Sequence, residues 1–241
     1  MIKPGIVQGA AAAVWTPQAL FTLGIRGGWY DVSDLTTLSV NSDGTGGIPA
    51  VGTAVGRVAD KSGNGNHLAQ ATAANRPILR NPSTGKYYLE FDGTTDFIQP
   101  AAMAGANAAD TFCTALAVQP TSLGAYHNLY EHTAAQYPML WCSNANVLEI
   151  DGGATSTATG AALVVHTRHV SGSNGQFWPN NGTLQSPPKG GALYAADQPI
   201  TLFNRGGSAT YGGRWYGGTY IYADLTAQNR TDLQAFYAAR L

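Results

Sequence analysis

Two copies of one short motif, LeuGluPheAspGly at 89–93 and LeuGluIleAspGly at 148–152, each place two carboxylates on a strand-like run that enters a glycine turn. Alternate side chains of an extended chain share a face about 7 Å apart, so Glu149 and Asp151 are spaced for shared acid–base work. Carboxyl pairs of this kind cleave glycosidic bonds, one protonating the leaving oxygen while the other acts as nucleophile or base. Only Glu131 lies outside the two motifs as a further Glu. Strand carboxylates that run into Gly turns are also ordinary turn formers. On that reading no catalytic residue is assigned.

Two other groups of polar residues invite a metal. Asp60, Ser62, Asn64 and Asn66 present oxygen at every second residue, as calcium loops do, but only one is a carboxylate and position 71 is Ala where a bidentate Glu would fall. A structural turn, with Asn and Gly in left-handed conformations, is the expectation, and calcium stays open as the alternative. The histidines fall at 67, 127, 132, 166 and 169. Residues three or five apart on a strand point to opposite faces, so neither His127/His132 nor His166/His169 reads as a chelating pair. The expectation is no metal and no cofactor.

Aromatic side chains next to Asn and Gly suit glycans, because sugar rings stack on aromatic faces while amides take the hydroxyls. Of Trp29, Tyr30, Trp141, Trp178, Trp215, Tyr216, Tyr220 and Tyr222, most are expected in the core. Trp178, beside Pro179 and the turn Asn180-Asn181-Gly182, is the best exposed candidate, since turns lie on the surface. The candidate carbohydrate-binding set is Trp178, Asn180, Asn181, Trp141 and Tyr216.

Positioning such residues falls to a chain of 241 residues, long enough for one large all-β domain. Charged residues make up 11 %, against roughly a quarter in an average soluble protein. A net charge of −1 leaves no footprint for a polyphosphate backbone, so nucleic acid is excluded as a partner. No apolar run is long enough to span a bilayer. Cys113 and Cys142 lack metal or redox spacing and read as buried thiols.

Residues 1–28, with their small Ala10–Ala13 run and Gly24, Gly27 and Gly28, read as an N-terminal arm that anchors the protein, folded back or docked on a neighbour. Residues 29–241 read as the domain. Two-residue alternation marks strands at 55–60, 78–80, 87–91, 111–119, 125–131, 139–143, 147–151, 163–170, 176–179, 183–185, 200–204 and 214–222. Thr226 is expected to cap a helix running to about Arg240, with Leu233, Phe236 and Tyr237 as its apolar stripe. No helix separates consecutive strands, which excludes a parallel βαβ sheet. The fold class expected is all-β, a two-sheet antiparallel sandwich with a short C-terminal helix.

The runs GlyGlyTrpTyrAspValSerAspLeuThrThrLeu at 27–38, AlaAspLysSerGlyAsnGlyAsnHis at 59–67, TyrTyrLeuGluPheAspGlyThrThrAspPheIle at 87–98 and ArgTrpTyrGlyGlyThrTyrIleTyrAlaAspLeuThr at 214–226 resemble the concanavalin A-like lectin/glucanase superfamily, in its laminin G-like branch. The resemblance implies a jelly-roll sandwich. Glucanases of that superfamily carry Glu-x-Asp-x-x-Glu or Glu-x-Asp-x-Glu on one strand. Gly153 and Ala154 stand where the second glutamate would fall. Modules resembling this one also occur among tailed-phage structural proteins. The implied function is a non-enzymatic virion component, a capsid decoration or tail-fibre protein on the particle exterior. It would be oligomeric or lattice-bound, held to other virion subunits by its arm and meeting host-surface polysaccharide. A glucanase-type hydrolase or depolymerase and a free carbohydrate-binding module are the alternatives.

Overall fold

The computed structural model describes residues 14–22, 24–82, 86–100, 111–121, 127–132, 136–143, 147–150, 153–158, 160–170, 174–188, 200–203 and 211–241. Its strands are β1 (Gly27–Asp31), β2 (Leu38–Ser39), β3 (Arg57–Val58), β4 (Leu68–Ala69), β5 (Ile78–Arg80), β6 (Tyr88–Asp92), β7 (Gln99–Pro100) and β8 (Thr111–Pro120). They continue as β9 (His127–His132), β10 (Gln136–Cys142), β11 (Val147–Ile150), β12 (Gly153–Ala158), β13 (Leu163–Val170), β14 (Gln176–Pro179), β15 (Ile200–Leu202) and β16 (Gly212–Ile221). One α-helix, α1 (Ala227–Ala238), follows. All pairings are antiparallel, in a seven-stranded sheet ordered β14-β13-β8-β16-β6-β5 with β1 also on β16, a five-stranded sheet β12-β11-β10-β9-β15, and a short four-stranded sheet β2-β3-β4-β7. The all-β expectation holds at this level.

Alternation along β8 shows how the layers form. Phe112, Leu116 and Val118 enter a core shared with Leu140, Leu148 and Ile150 of the five-stranded sheet and Leu38, Val58 and Leu68 of the short one. Their neighbours Cys113, Ala115 and Ala117 face a second core with Leu233 and Tyr237 of α1. Small side chains there let the helix approach the sheet closely. Burying each large apolar side chain contributes about 1.5–3 kcal/mol. In β6, as its alternation predicts, Leu89 and Phe91 enter the first core and Tyr88 the second.

The long strand β16 needs a break in its rhythm. Its register against β8 shifts between Trp215 and Gly217, which leaves Tyr216 as the extra residue of a bulge. Gly217 sits at φ +145°, and a Cβ there would lie 2.5 Å from the Tyr30 carbonyl oxygen. Only glycine fits.

The helix starts as its sequence predicts: Thr226 Oγ1 accepts from Asn229 N at 3.1 Å while Asn229 Oδ1 accepts from Thr226 N at 3.1 Å, a reciprocal cap. Of the segment expected to form an arm, residues 1–13 lie outside the described residues. Leu20 and Phe21, in a 3₁₀ turn at Pro17–Phe21, pack into the second core of the same chain, and Gln18 donates to the Ser62 carbonyl at 3.2 Å. The boundary drawn at residue 28 falls inside β1. Strands β1, β2, β4, β7 and β12 were not anticipated; β2, β4 and β7 are two residues long, too short to show a period, and β1 is buried at every position, so it shows no alternation. Residues 183–185 form an isolated bridge, Gln185 to Phe177, rather than a strand. Both cysteines are buried free thiols.

Candidate functional site

The aromatic and amide residues chosen from the sequence do not converge. Trp178 is only 9 % exposed, and the Arg230 guanidinium of α1 stacks 4.3 Å from its ring, which corrects the expectation of an exposed platform. The neighbouring turn is at the surface, but the indole itself faces the helix layer. Asn180 and Asn181 take φ of 49° and 52°, and Gly182 N donates to the Pro179 carbonyl at 2.8 Å, a two-residue hairpin turn as expected. Their amides brace that turn: Asn180 Oδ1 accepts from Val164 N at 2.9 Å and Asn181 Nδ2 donates to Thr231 Oγ1 at 3.2 Å. Tyr216, the bulge residue, is buried against Tyr88 with ring centroids 5.4 Å apart, so it too belongs to the helix-facing core. Only Trp141 remains from the set.

Trp141 lies on β10 of the five-stranded sheet, where register sets it opposite Glu149 of β11 and Asn128 of β9. Leu148 and Ile150 enter the core, so Glu149 between them stands on the outer face with Val147, both half-buried. Cross-strand neighbours on one face are about 5 Å apart. The row Glu149–Trp141–Asn128 therefore sets a carboxylate, an indole and an amide side by side. It runs from half-buried at β11 to 1 % exposed at Asn128.

What separates Glu149 from the other acids is its lack of commitments. Asp31 and Asp224 are clasped by arginines, Asp34 by Lys61 and Glu90 by Arg80. Asp43, Asp60, Asp92 and Asp96 accept backbone N–H groups, and Asp232 accepts from Gln228. Among the carboxylates whose side chains are described, a set that leaves out Glu131, Glu149 alone takes neither a hydrogen bond nor an ion pair. Glu149 is thus a half-buried carboxylate set in register with an indole. Its motif partner Asp151 lies outside the described residues. Register places Glu131 of β9 opposite Met139, two residues along β10 from Trp141. The sequence singled out Trp141 and Glu149 separately; their pairing, and the part of Asn128, depend on register, which no local pattern encodes.

The first copy of the motif does structural work. Glu90 pairs with Arg80 at 2.6 Å. Asp92 accepts from the N–H groups of Thr94, Thr95 and Asp96 at 2.8–2.9 Å and from both threonine hydroxyls. Burial pushes the Asp92 carboxyl up, but these bonds outweigh it and hold it well below the carboxylate range. Asp96 goes the other way, to about 6, through burial and then the Asp92 charge. A carboxyl raised in the folded state stabilises fully below its unfolded value, about 3.9, and that contribution is lost as pH rises through about 6. Asp96→Asn keeps the acceptor for Asp92 N without the charge. It is expected to add about 2 kcal/mol at pH 8 and nothing at pH 4, read from urea unfolding midpoints at the two pH values.

The Asp60–Asn66 stretch is a clasp on β1. Asp60 Oδ1 accepts from Trp29 N and Ser62 N, its Oδ2 from Asn66 N and the Ser62 hydroxyl, and Asn64 and Asn66 both donate to the Gly27 carbonyl. Gly63 and Gly65 supply the positive φ values, 91° and 77°. Both Asp60 oxygens are thus engaged within the turn. Among the described residues no three His, Cys, Asp or Glu side chains group in a way that could hold a metal ion.

No family model matches the sequence, and no curated protein matches it. Solved structures do share the fold. Trypanosoma rangeli sialidase in complex with the inhibitor DANA aligns with a TM-score of 0.54 and 13 % identity, over 98 % of this chain and 35 % of that one. An arabinofuranosidase complexed with arabinofuranosyl-alpha-1,2-xylobiose aligns with a TM-score of 0.57 and 12 % identity, over 78 % and 51 %. A mutant GH54 α-L-arabinofuranosidase soaked with 4-nitrophenyl α-L-arabinofuranoside aligns with a TM-score of 0.56 and 13 % identity, over 88 % and 62 %. The chain therefore spans about a third of the sialidases' length and less than two thirds of these arabinofuranosidases'. These neighbours overturn the expectation of a non-enzymatic scaffold, because the sandwich is one that carbohydrate-active enzymes carry. Gly153 and Ala154 leave the motif strand without a second glutamate, but a sheet also brings carboxylates together across strands.

Proposed function

We propose that this chain is a carbohydrate-active β-sandwich of glycoside-hydrolase type, which takes a glycan on the outer face of the five-stranded sheet. Trp141 is the platform on which a sugar ring stacks, and Glu149 is the carboxylate that acts at the glycosidic bond. The observation that carries this reading is the unpaired Glu149 in register with Trp141. The likeness of the fold to sialidases and arabinofuranosidases supports it. The jelly-roll, concanavalin A-like description of the sandwich belongs to the same proposal. A virion location and a partner for residues 1–28 rest on the sequence resemblance alone.

Hydrolysis needs a second carboxyl group, and Glu131 is proposed to supply it. Two strand spacings across and two residues along put its Cα about 12 Å from that of Glu149. Such a spacing suits the wider, inverting arrangement, in which a water stands between base and sugar. The low charge of the chain favours a neutral glycan over a polyanionic one.

Incubation of the protein with arabinoxylan, sialyl-lactose and a set of bacterial capsular polysaccharides is the test. New reducing ends from at least one, with Trp141→Ala raising KM about tenfold, are expected; one stacking contact is worth about 1.4 kcal/mol. The reading is overturned by an absence of new reducing ends together with no retention on any of these glycans, or by Trp141→Ala kinetics equal to wild type.

A further inference from the structure

A concave surface separate from the Trp141 row lies beside the loop at residues 41–47. Its volume is about 360 Å³, and its walls are Ser42 and Asp43 of the loop, Ala69 and Gln70 at the end of β4, Phe97, and Gln99 of β7. None of the five-stranded sheet contributes. Small-molecule sites typically occupy roughly 300–1,000 Å³ and combine an apolar wall with a few convergent polar groups. Here the wall is Phe97, whose ring is half-buried against the first core.

The polar groups divide into those already used and those left over. Gln70 is 5 % exposed and fully committed: its Nε2 donates to the Phe97 carbonyl at 3.3 Å and its Oε1 accepts from Thr72 N at 2.9 Å. Arg76 fixes the surrounding backbone by donating to the carbonyls of Gln70, Val40 and Ala71. The loop is equally braced. Asp43 Oδ1 accepts from the N–H and hydroxyl of Thr45 at 2.9 and 2.7 Å, Asn41 N donates to the Thr45 carbonyl, and Arg57 Nη1 donates to the Asp43 carbonyl at 2.8 Å. Asp43 Oδ2 and the side-chain amide of Gln99 take no bond among the described residues. One acceptor and one donor–acceptor amide thus face a ready-made cleft with an aromatic wall.

We propose that this cleft binds a neutral sugar unit on its own, with the ring against Phe97 and hydroxyls donated to Asp43 Oδ2 and shared with the Gln99 amide. The bonds from Thr45 hold the Asp43 carboxyl below its ordinary value, so it is an acceptor at neutral pH. A phosphate would be repelled by that carboxylate. A cation would find a single carboxylate, since the Gln70 oxygen is already taken. A polyhydroxylated neutral ring meets neither objection. Because the loop is braced before any ligand arrives, little ordering is lost on binding. The proposal stands on the chemistry of the cleft and does not need hydrolysis at Glu149.

The test is an amide-resonance titration with xylobiose, cellobiose, maltose and lactose, and with inorganic phosphate in parallel. At least one disaccharide is expected to shift Ala69, Ala71 and Gln99 with a Kd near 1 mM, about −4 kcal/mol. Asp43→Ala and Gln99→Ala, both surface changes, should each weaken that binding at least tenfold while leaving the rest of the spectrum in place. Trp141→Ala should leave these shifts intact, so a dead sheet face and a dead cleft are told apart. The proposal is overturned by cleft resonances that respond to no sugar, that respond to phosphate instead, that keep full affinity in the Asp43→Ala, Gln99→Ala double variant, or that fall silent in Trp141→Ala.

Discussion

Glu149→Gln is expected to lower kcat on any glycan the protein cleaves by about 10³-fold, a loss of about 4 kcal/mol of transition-state stabilisation. The amide keeps the size and the hydrogen-bonding reach of the carboxylate but neither its charge nor its basicity. Binding should survive, because Trp141 is untouched: KM within about threefold, kcat collapsed, is the signature of a group acting at the reacting bond. Stability should survive as well. Glu149 has no partner among the described residues to lose, so the melting temperature is expected within about 1 °C of wild type. Glu90→Gln is the matched control, since it disturbs the first copy of the motif and breaks the pair with Arg80. That pair is partly exposed, so about 0.5 kcal/mol of stability is expected to go and no activity. Equal turnover by wild type and Glu149→Gln on the same glycan would remove Glu149 from the chemistry.

The contrast between the two motif copies shows where local sequence stops. Leu-Glu-x-Asp-Gly reads the same at 89–93 and 148–152, yet one Glu is tied to Arg80 and the other stands beside an indole. The difference lies in which strands flank each copy: β6 sits between β5 and β16, whereas β11 sits between β10 and β12. Alternation, turn chemistry and capping are local, and they do read through, as in Leu89 and Phe91 against Tyr88, in the Asn180-Asn181 turn, and in the Thr226 cap. Aromatic exposure is not local. Trp178 follows a surface turn and was expected at the surface, but Arg230 of a helix some fifty residues later covers it. Tyr216 fits the two-residue rhythm of its strand only until the bulge that Gly217 permits sets it among the helix-facing side chains. The cleft at Asp43 is the third such case, assembled from a loop and two-residue strands that carry no period at all.

Arg240→Ala is expected to cost about 3–5 kcal/mol, which for a domain of this size lowers the melting temperature by about 10 °C or more. Arg240 donates from Nε to Asp31 Oδ1 at 2.8 Å and from Nη2 to Oδ2 at 2.5 Å, a two-pronged clasp joining residues 209 apart in the chain. The same guanidinium stacks 3.5 Å from the Phe236 ring centroid and donates to the Phe236 carbonyl at the end of α1. Asp31 is 4 % exposed on β1, so removal of its partner strands a buried charge rather than a solvated one. The pH dependence identifies the cause. Burial alone pushes the Asp31 carboxyl up, but the bonds from Arg240 and Ser33 outweigh it and hold the group below its ordinary value. In wild type the contribution of this carboxylate is therefore present above about pH 4 and lost as pH falls through the lowered value. Without Arg240, burial is left largely unopposed, the carboxyl rises, and protonation relieves the strain. The gap between wild type and variant should accordingly narrow as the solution is acidified from pH 7 to pH 4. Adding Asp31→Asn to Arg240→Ala should recover about half of the loss at pH 7, and Arg240→Lys, which lacks the fork, should fall between wild type and Ala. A loss under 1 kcal/mol, or a gap that does not change with pH, would mean that α1 is held by its apolar face alone, through Leu233 and Tyr237.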